Sequence, residues 1–139
     1  MGLIIDTGPL VAALRARDEH HAWAVRALSM VRPPLATCDA VVSEACFLLE
    51  RAGRNDSSAL LSLVLDGLII PTFRFADEVR AVDALMRRYA SVPMSFADAC
   101  LVRMAELDRD PTVVTLDEDF RVYRRNGRGP IRVIAPWSA

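Results

Sequence analysis

Short apolar runs recur along this chain, and each is followed by a longer stretch whose apolar residues repeat at helical spacing. Leu3–Ile5, Leu35–Thr37, Leu68–Pro71, Thr112–Thr115 and Ile131–Ile134 read as five strands. Pro71 places the third at a sheet edge, because proline offers no amide to a neighbouring strand. Between them, Gly8-Pro9 opens a helix, with proline tolerated in the first turn. Asp18 or Glu19 begins a second helix that runs to about Met30, with Trp23, Ala27 and Met30 on one face, and Pro33-Pro34 stops it. Asp39 caps a helix that carries Ala45, Leu48, Leu49 and Ala52 and ends at Gly53. Asn55 or Asp56 starts the next, which ends at Gly67. Asp77 to Ala90 is helical, Ser95 caps a helix to about Leu107, a short helix spans Glu118 to Arg125, and Asn126 to Pro130 is a loop. Strands alternating with helices predict βαβ units: one α/β domain over residues 1–139, with a mostly parallel sheet of about five strands and helices on both faces.

Four acids stand where an apolar strand gives way to a turn or a helix: Asp6, Glu44, Asp98 and Asp117. Strand ends on one edge of a parallel sheet converge on one crevice. Carboxylates gathered there repel one another, and a divalent cation relieves the repulsion. Each acid also has a plainer reading. Asp6 suits a helix N-cap before Gly8-Pro9, although Thr7 could cap and leave Asp6 free. Glu44 lies in the first two turns of its helix, where it would favour the dipole, but its i−3 and i+4 neighbours Val41 and Leu48 predict a buried edge. Ser95 and Asp98 have the spacing of a capping box. Asp117 and Asp119 flank Glu118 before the short helix; Asp117 is nearer the strand end and is the favoured ligand, with Asp119 in reserve. Oxygen ligands of this kind suit Mg²⁺ or Mn²⁺, and such a site supports hydrolysis of a phosphodiester.

Charge and composition narrow the chemistry. The net charge of −1 excludes a protein that coats nucleic acid by bulk electrostatics, though not an enzyme that touches a few phosphates. All 17 basic residues are Arg. Without Lys there is no P-loop amine, Schiff base or Lys general base. Receiver domains, which also gather acids at strand ends, need a Lys on a late strand, and phosphatases of the Asp-x-Asp type need an acid where Gly8 stands. The three cysteines, Cys38, Cys46 and Cys100, form no CxxC pair and read as buried thiols. No apolar run approaches the roughly 20 residues of a membrane span. The start of the chain lacks a basic leader region, so a cytoplasmic location is expected.

Four segments in order carry a resemblance: Ile4-Ile5-Asp6-Thr7-Gly8-Pro9-Leu10, then Glu44, then Ser95-Phe96-Ala97-Asp98-Ala99, then Thr115-Leu116-Asp117-Glu118-Asp119-Phe120. Together they resemble the PIN-domain family, most closely the VapC-type toxins of bacterial toxin–antitoxin pairs. The resemblance implies a three-layer α/β/α fold, RNA cleavage dependent on Mg²⁺ or Mn²⁺, a homodimer, and a cognate antitoxin that blocks the site. Carried over, Asp6 and Asp98 match the main metal ligands, Glu44 the second acid and Asp117 the more variable fourth, while Thr7 and Thr115 match hydroxyl positions that support the site. The alternatives are a nuclease of this fold outside a toxin–antitoxin pair, or a non-catalytic interaction module.

Arg121, Arg124, Arg125, Arg128 and Arg132 cluster near the C-terminus. They read as a solvated face, or as phosphate contacts for RNA, to which arginine forks are suited. Trp137 packs on the last strand or a dimer mate rather than stacking a base. His20 and His21, adjacent on a helix, point in different directions and read as surface or dimer packing.

Overall fold

Leu3, Ile4 and Ile5 build β1 (Gly2–Ile5), the strand on which the sheet is centred. The computed structural model describes residues 2–51 and 56–138. In chain order there follow α1 (Thr7–Leu14), α2 (His21–Ser29), β2 (Leu35–Thr37), α3 (Asp39–Glu50), α4 (Ser57–Leu65), β3 (Ile69–Pro71), a 3₁₀ turn (Phe75–Asp77), α5 (Val79–Arg88) and α6 (Phe96–Leu107). The chain finishes with β4 (Pro111–Val114), a second 3₁₀ turn (Glu118–Arg121), β5 (Arg124–Arg125), β6 (Gly129–Pro130) and β7 (Val133–Ile134).

Five strands form one sheet in the order β3-β2-β1-β4-β7, and every pairing in it is parallel. Pro71 lies on the edge strand, as the sequence predicts. From β1 the chain moves outward through β2 to β3, then returns across the sheet to β4 on the other side of β1. Right-handed crossovers place helices of opposite travel on opposite faces. Accordingly α1 to α4 pack among themselves, and α5 packs on α6. The result is a three-layer α/β/α architecture whose strand order reverses between β1 and β4, the place where open α/β sheets hold their ligands.

The core lies between sheet and helices, with Ile4, Ile5, Val113 and Val114 buried from the central strands. Helix α6 is the most deeply set: Ala97 to Val102, Met104 and Ala105 are all buried.

Several expected boundaries shift. Met30 follows the end of α2 as its C-cap and is 80% exposed, so only Trp23 of the expected apolar face reaches past the helix to pack on the core. The helix expected from Asp77 is divided by a 3₁₀ turn and starts at Val79. The short helix expected over Glu118–Arg125 stops at Arg121 as a 3₁₀ turn. The expected loop after it is a small antiparallel hairpin of β5 and β6, turned by Asn126 (φ 54°) and Gly127 (φ 66°), two residue types that enter the left-handed region readily. Asp39 does not cap α3; Cys38 holds that position and Asp39 is the first helical residue, where its charge favours the dipole. The expected start at Asn55 and stop at Gly53 lie outside the described residues.

Candidate active site

Asp6 leaves the C-terminal end of β1 and caps α1: its Oδ1 accepts the Thr7 amide at 2.7 Å. The amide of Asp6 itself donates to Val114 O at 3.0 Å, which fixes it to the end of β4. One strand over, Thr115 Oγ1 donates to Asp6 Oδ2 at 2.7 Å and accepts the Asp117 amide at 2.9 Å. One hydroxyl thus ties both strand ends together. On the opposite flank Thr37, wholly buried at the end of β2, donates its hydroxyl to Ile5 O at 2.9 Å.

Asp98 arrives from α6. Ser95 Oγ accepts the Asp98 amide at 3.0 Å, which is one half of the expected capping box. The other half does not form; Asp98 Oδ2 instead accepts the Tyr123 hydroxyl at 2.8 Å. Asp117 caps the second 3₁₀ turn, with its Oδ1 accepting the Asp119 amide at 2.9 Å. Capping and convergence are therefore compatible, since a carboxylate has lone pairs to spare for both.

Asp6, Asp98 and Asp117 each offer an oxygen, and these oxygens all lie within 4.8 Å of one another. They open on a crevice of about 450 Å³ that Thr7, Gly8, Glu44, Leu48, Leu116 and Asp119 also line. Asp6 is 6% exposed and Asp98 7%. Burial is the main force that lifts the Asp6 carboxyl to about 6, against the Thr115 and Thr7 hydrogen bonds, with Asp117 and Glu44 adding repulsion. Burial and the adjacent Asp6 charge lift Asp98 to about 7, opposed by the Tyr123 hydroxyl. Asp119 also moves upward, through burial and then the charge of Asp117. Three crowded carboxylates, two of them buried, are a donor set that fits a hard divalent cation such as Mg²⁺ or Mn²⁺.

Glu44 does not occupy the buried edge that its helical neighbours predicted. It is exposed on α3 and lines the crevice outside the close trio. The buried positions of α3 are Val41, Ala45 and Leu49, one stripe at i, i+4 and i+8, and Glu44 falls beside that stripe at the crevice rim. Asp119 also lines the crevice outside the trio. Thr7 does not cap α1. It is buried, and its Oγ1 has no hydrogen-bond partner among the described residues.

The arginine cluster is largely committed to the fold. Arg124 donates to the carbonyls of Arg121, Val122 and Tyr123, and Arg125 donates to those of Ala105 and Asp108 at the end of α6. Arg121 pairs with Glu118 and lies over the Trp137 ring, Arg132 pairs with Asp110, and Arg128 is exposed. No arginine lines the acidic crevice among the described residues. Trp137 donates its indole N–H to Leu116 O at 3.3 Å. His21 Nδ1 donates to Ala12 O at 2.7 Å and so ties α2 to α1. Cys38 and Cys100 are buried free thiols, and Cys46 is half-buried.

Tyr123 is the residue that the sequence did not disclose. The spacing from Asp117 through Phe120 to Tyr123 is regular at three, but it lies inside what reads as a charged run.

Residues 3–126 match the family described as PIN domain. The chain belongs to the PIN-domain family. As a PIN domain it is similar along nearly its whole length to Ribonuclease VapC26 of Mycobacterium tuberculosis (strain ATCC 25618 / H37Rv): 28% identity over 134 residues, covering 95% of this chain and 99% of the relative. Its fold is similar to the crystal structure of Mycobacterium tuberculosis VapC20, a Sarcin-Ricin loop cleaving toxin, with a TM-score of 0.79 and 22% identity over 94% of this PIN domain and 99% of that chain.

Proposed function

We propose that this PIN domain is a VapC-like endoribonuclease that depends on Mg²⁺ or Mn²⁺ and acts as the toxin of a toxin–antitoxin pair. The observation that carries the reading is the trio Asp6, Asp98 and Asp117, with oxygens within 4.8 Å at the switch point of the sheet. In this reading those three side chains hold the cation, Glu44 reaches in from the rim, and Asp119 stands in reserve. A divalent cation held there would supply an acidified water and positive charge to offset that of a phosphodiester under attack.

The chain's own groups prepare that chemistry. Thr115 and the Thr7 amide hold both oxygens of Asp6, and Tyr123 holds one oxygen of Asp98. Burial keeps bulk water from screening the carboxylates, so their field on a cation is strong. The N-terminal ends of α1 and α6 face the same crevice and favour negative charge, both of the carboxylates and of an RNA phosphate.

The residues 1–139 form one nuclease unit in this reading, which works as a homodimer in the cytoplasm and is silenced by an antitoxin covering the crevice. The relatives' names, VapC26 ribonuclease and VapC20 toxin, support the substrate class and the toxin role. The test is RNA cleavage by the purified protein. Wild type is expected to cleave with Mn²⁺ or Mg²⁺ and to stop with a chelator. A folded Asp98→Asn variant should be slower by about 100-fold or more, the scale of losing one preorganised electrostatic group. Equal RNA integrity with both proteins, or cleavage indifferent to chelator, overturns the reading. Growth arrest on expression, relieved by the protein encoded beside it, tests the toxin role separately.

A further inference from the structure

The aromatic cluster behind the crevice is built around one hydroxyl. Tyr123 is wholly buried, and its ring stands edge-on to Tyr89 and to Phe120, with centroids 5.1 Å away in each case. Rings packed in this way have few rotamers open to them. The Tyr123 hydroxyl therefore has one place to be, 2.8 Å from Asp98 Oδ2. The Tyr89 hydroxyl is spent elsewhere: it accepts the Arg124 amide at 2.9 Å. That bond is made to the first residue of β5, not to the crevice.

Asp98 has little else to orient it. Its amide is taken by Ser95, but the carboxylate accepts only the phenol among the described residues. Asp6, by contrast, has a donor on each oxygen, and Asp117 has the Asp119 amide. Without the phenol, Asp98 can turn about its side-chain torsions, and its buried oxygen loses its only donor.

We propose that Tyr123 is a positioning residue for the cation site: its hydroxyl holds Oδ2 of Asp98 and so sets the orientation in which that carboxylate meets a divalent cation. The phenol touches neither cation nor RNA, and it acts through Asp98. The chemistry is that of outer-shell hydrogen bonds in metal sites generally, which orient the ligand and set affinity. This inference rests on the reading of the trio as a cation site.

The test is Mn²⁺ binding by calorimetry on three full-length proteins: wild type, Tyr123→Phe and Tyr89→Phe. Each phenylalanine keeps the ring and removes one hydroxyl from the same cluster, so any general loosening of the cluster should show in both variants. Tyr123→Phe is expected to bind Mn²⁺ about tenfold more weakly, while Tyr89→Phe stays within about threefold of wild type. Binding by Tyr123→Phe within about threefold of wild type overturns the proposal and leaves the cation site standing. Equal weakening in both variants also overturns it, because the effect then belongs to the cluster and not to the bond with Asp98. If wild type itself binds no Mn²⁺, the cation site and this proposal fall together.

Discussion

Thr115 and Asp6 lie 109 positions apart in sequence, and Thr115 Oγ1 donates to Asp6 Oδ2 at 2.7 Å. The same oxygen of Thr115 accepts the Asp117 amide. The hydroxyl therefore couples two members of the trio through one buried atom. Thr115→Val removes both bonds at nearly constant size. It should weaken Mn²⁺ binding about 10- to 100-fold, the range found for outer-shell partners. Leaving a buried carboxylate short of a donor should also lower stability by about 1–3 kcal/mol in urea unfolding. An unchanged Mn²⁺ isotherm contradicts the bridging role.

Asp117 and Asp119 are separated by their place relative to the trio. Asp117 offers an oxygen to it, and Asp119 lines the crevice and donates its amide to the Asp117 cap. Asp117→Asn should reduce Mn²⁺ affinity by at least about tenfold, and Asp119→Asn by less than about threefold. Glu44→Gln, at the exposed rim, should change Mn²⁺ affinity less than Asp117→Asn. The reverse order for the two aspartates transfers the ligand role to Asp119.

The pH dependence of stability has a definite sign. Burial holds Asp6 at about 6 and Asp98 at about 7, both above the value of 3.8 that a free carboxyl has. Between those limits the native protein binds more protons than the unfolded chain, so stability falls as pH rises. The contribution is full below about 3.8 and is lost as pH passes through about 6 and 7. Metal-free protein should therefore melt at a higher temperature at about pH 5.5 than at about pH 7.5. The Asp98→Asn variant should show a flatter profile. Saturating Mn²⁺ should raise the melting temperature most at the higher pH, where the carboxylates are free to ligate. A metal-free melting temperature that climbs steadily from acid to neutral pH contradicts this.

Arg125 and Arg128 should part company. Arg125 donates to two carbonyls at the C-terminal end of α6, groups that the helix itself leaves without partners. Arg125→Ala should lower stability by about 1–3 kcal/mol. Arg128→Ala, at an exposed hairpin position, should stay within about 0.5 kcal/mol of wild type. Urea titrations of the two variants decide it; equal stability of the two contradicts the capping role of Arg125.

The strands were legible because each is a short apolar run bounded by turn residues, and Pro71 even marked the edge. The convergence of Asp6 and Asp117 was legible for the same reason, since parallel strand order brings successive C-terminal ends to one side. Asp98 was expected at a strand end but arrives from the first turn of α6, which follows α5 with no strand between. What escaped depends on contacts between elements. Glu44 was assigned to a buried edge from its own helix, but α3 presents a narrow stripe of Val41, Ala45 and Leu49, and the next column faces the crevice mouth. Arg124 and Arg125 read as a solvated face or as phosphate contacts because charge runs carry no record of which carbonyls they will satisfy. Tyr123 was hidden in the same run, and its partner Asp98 is 25 residues away on another element.

The reversal of strand order between β1 and β4 also sets when the site can exist. Asp6 follows β1 and Asp117 follows β4, and they meet only once β4 has docked beside β1. A nascent chain that has emerged as far as α5 carries a single member of the trio, and one that has emerged through α6 still lacks Thr115, Asp117 and Tyr123. Contacts of such long sequence separation form late, after their loop-closure entropy has been met. The step that closes the sheet is thus also the step that completes the trio, and no shorter part of the fold holds all three carboxylates together.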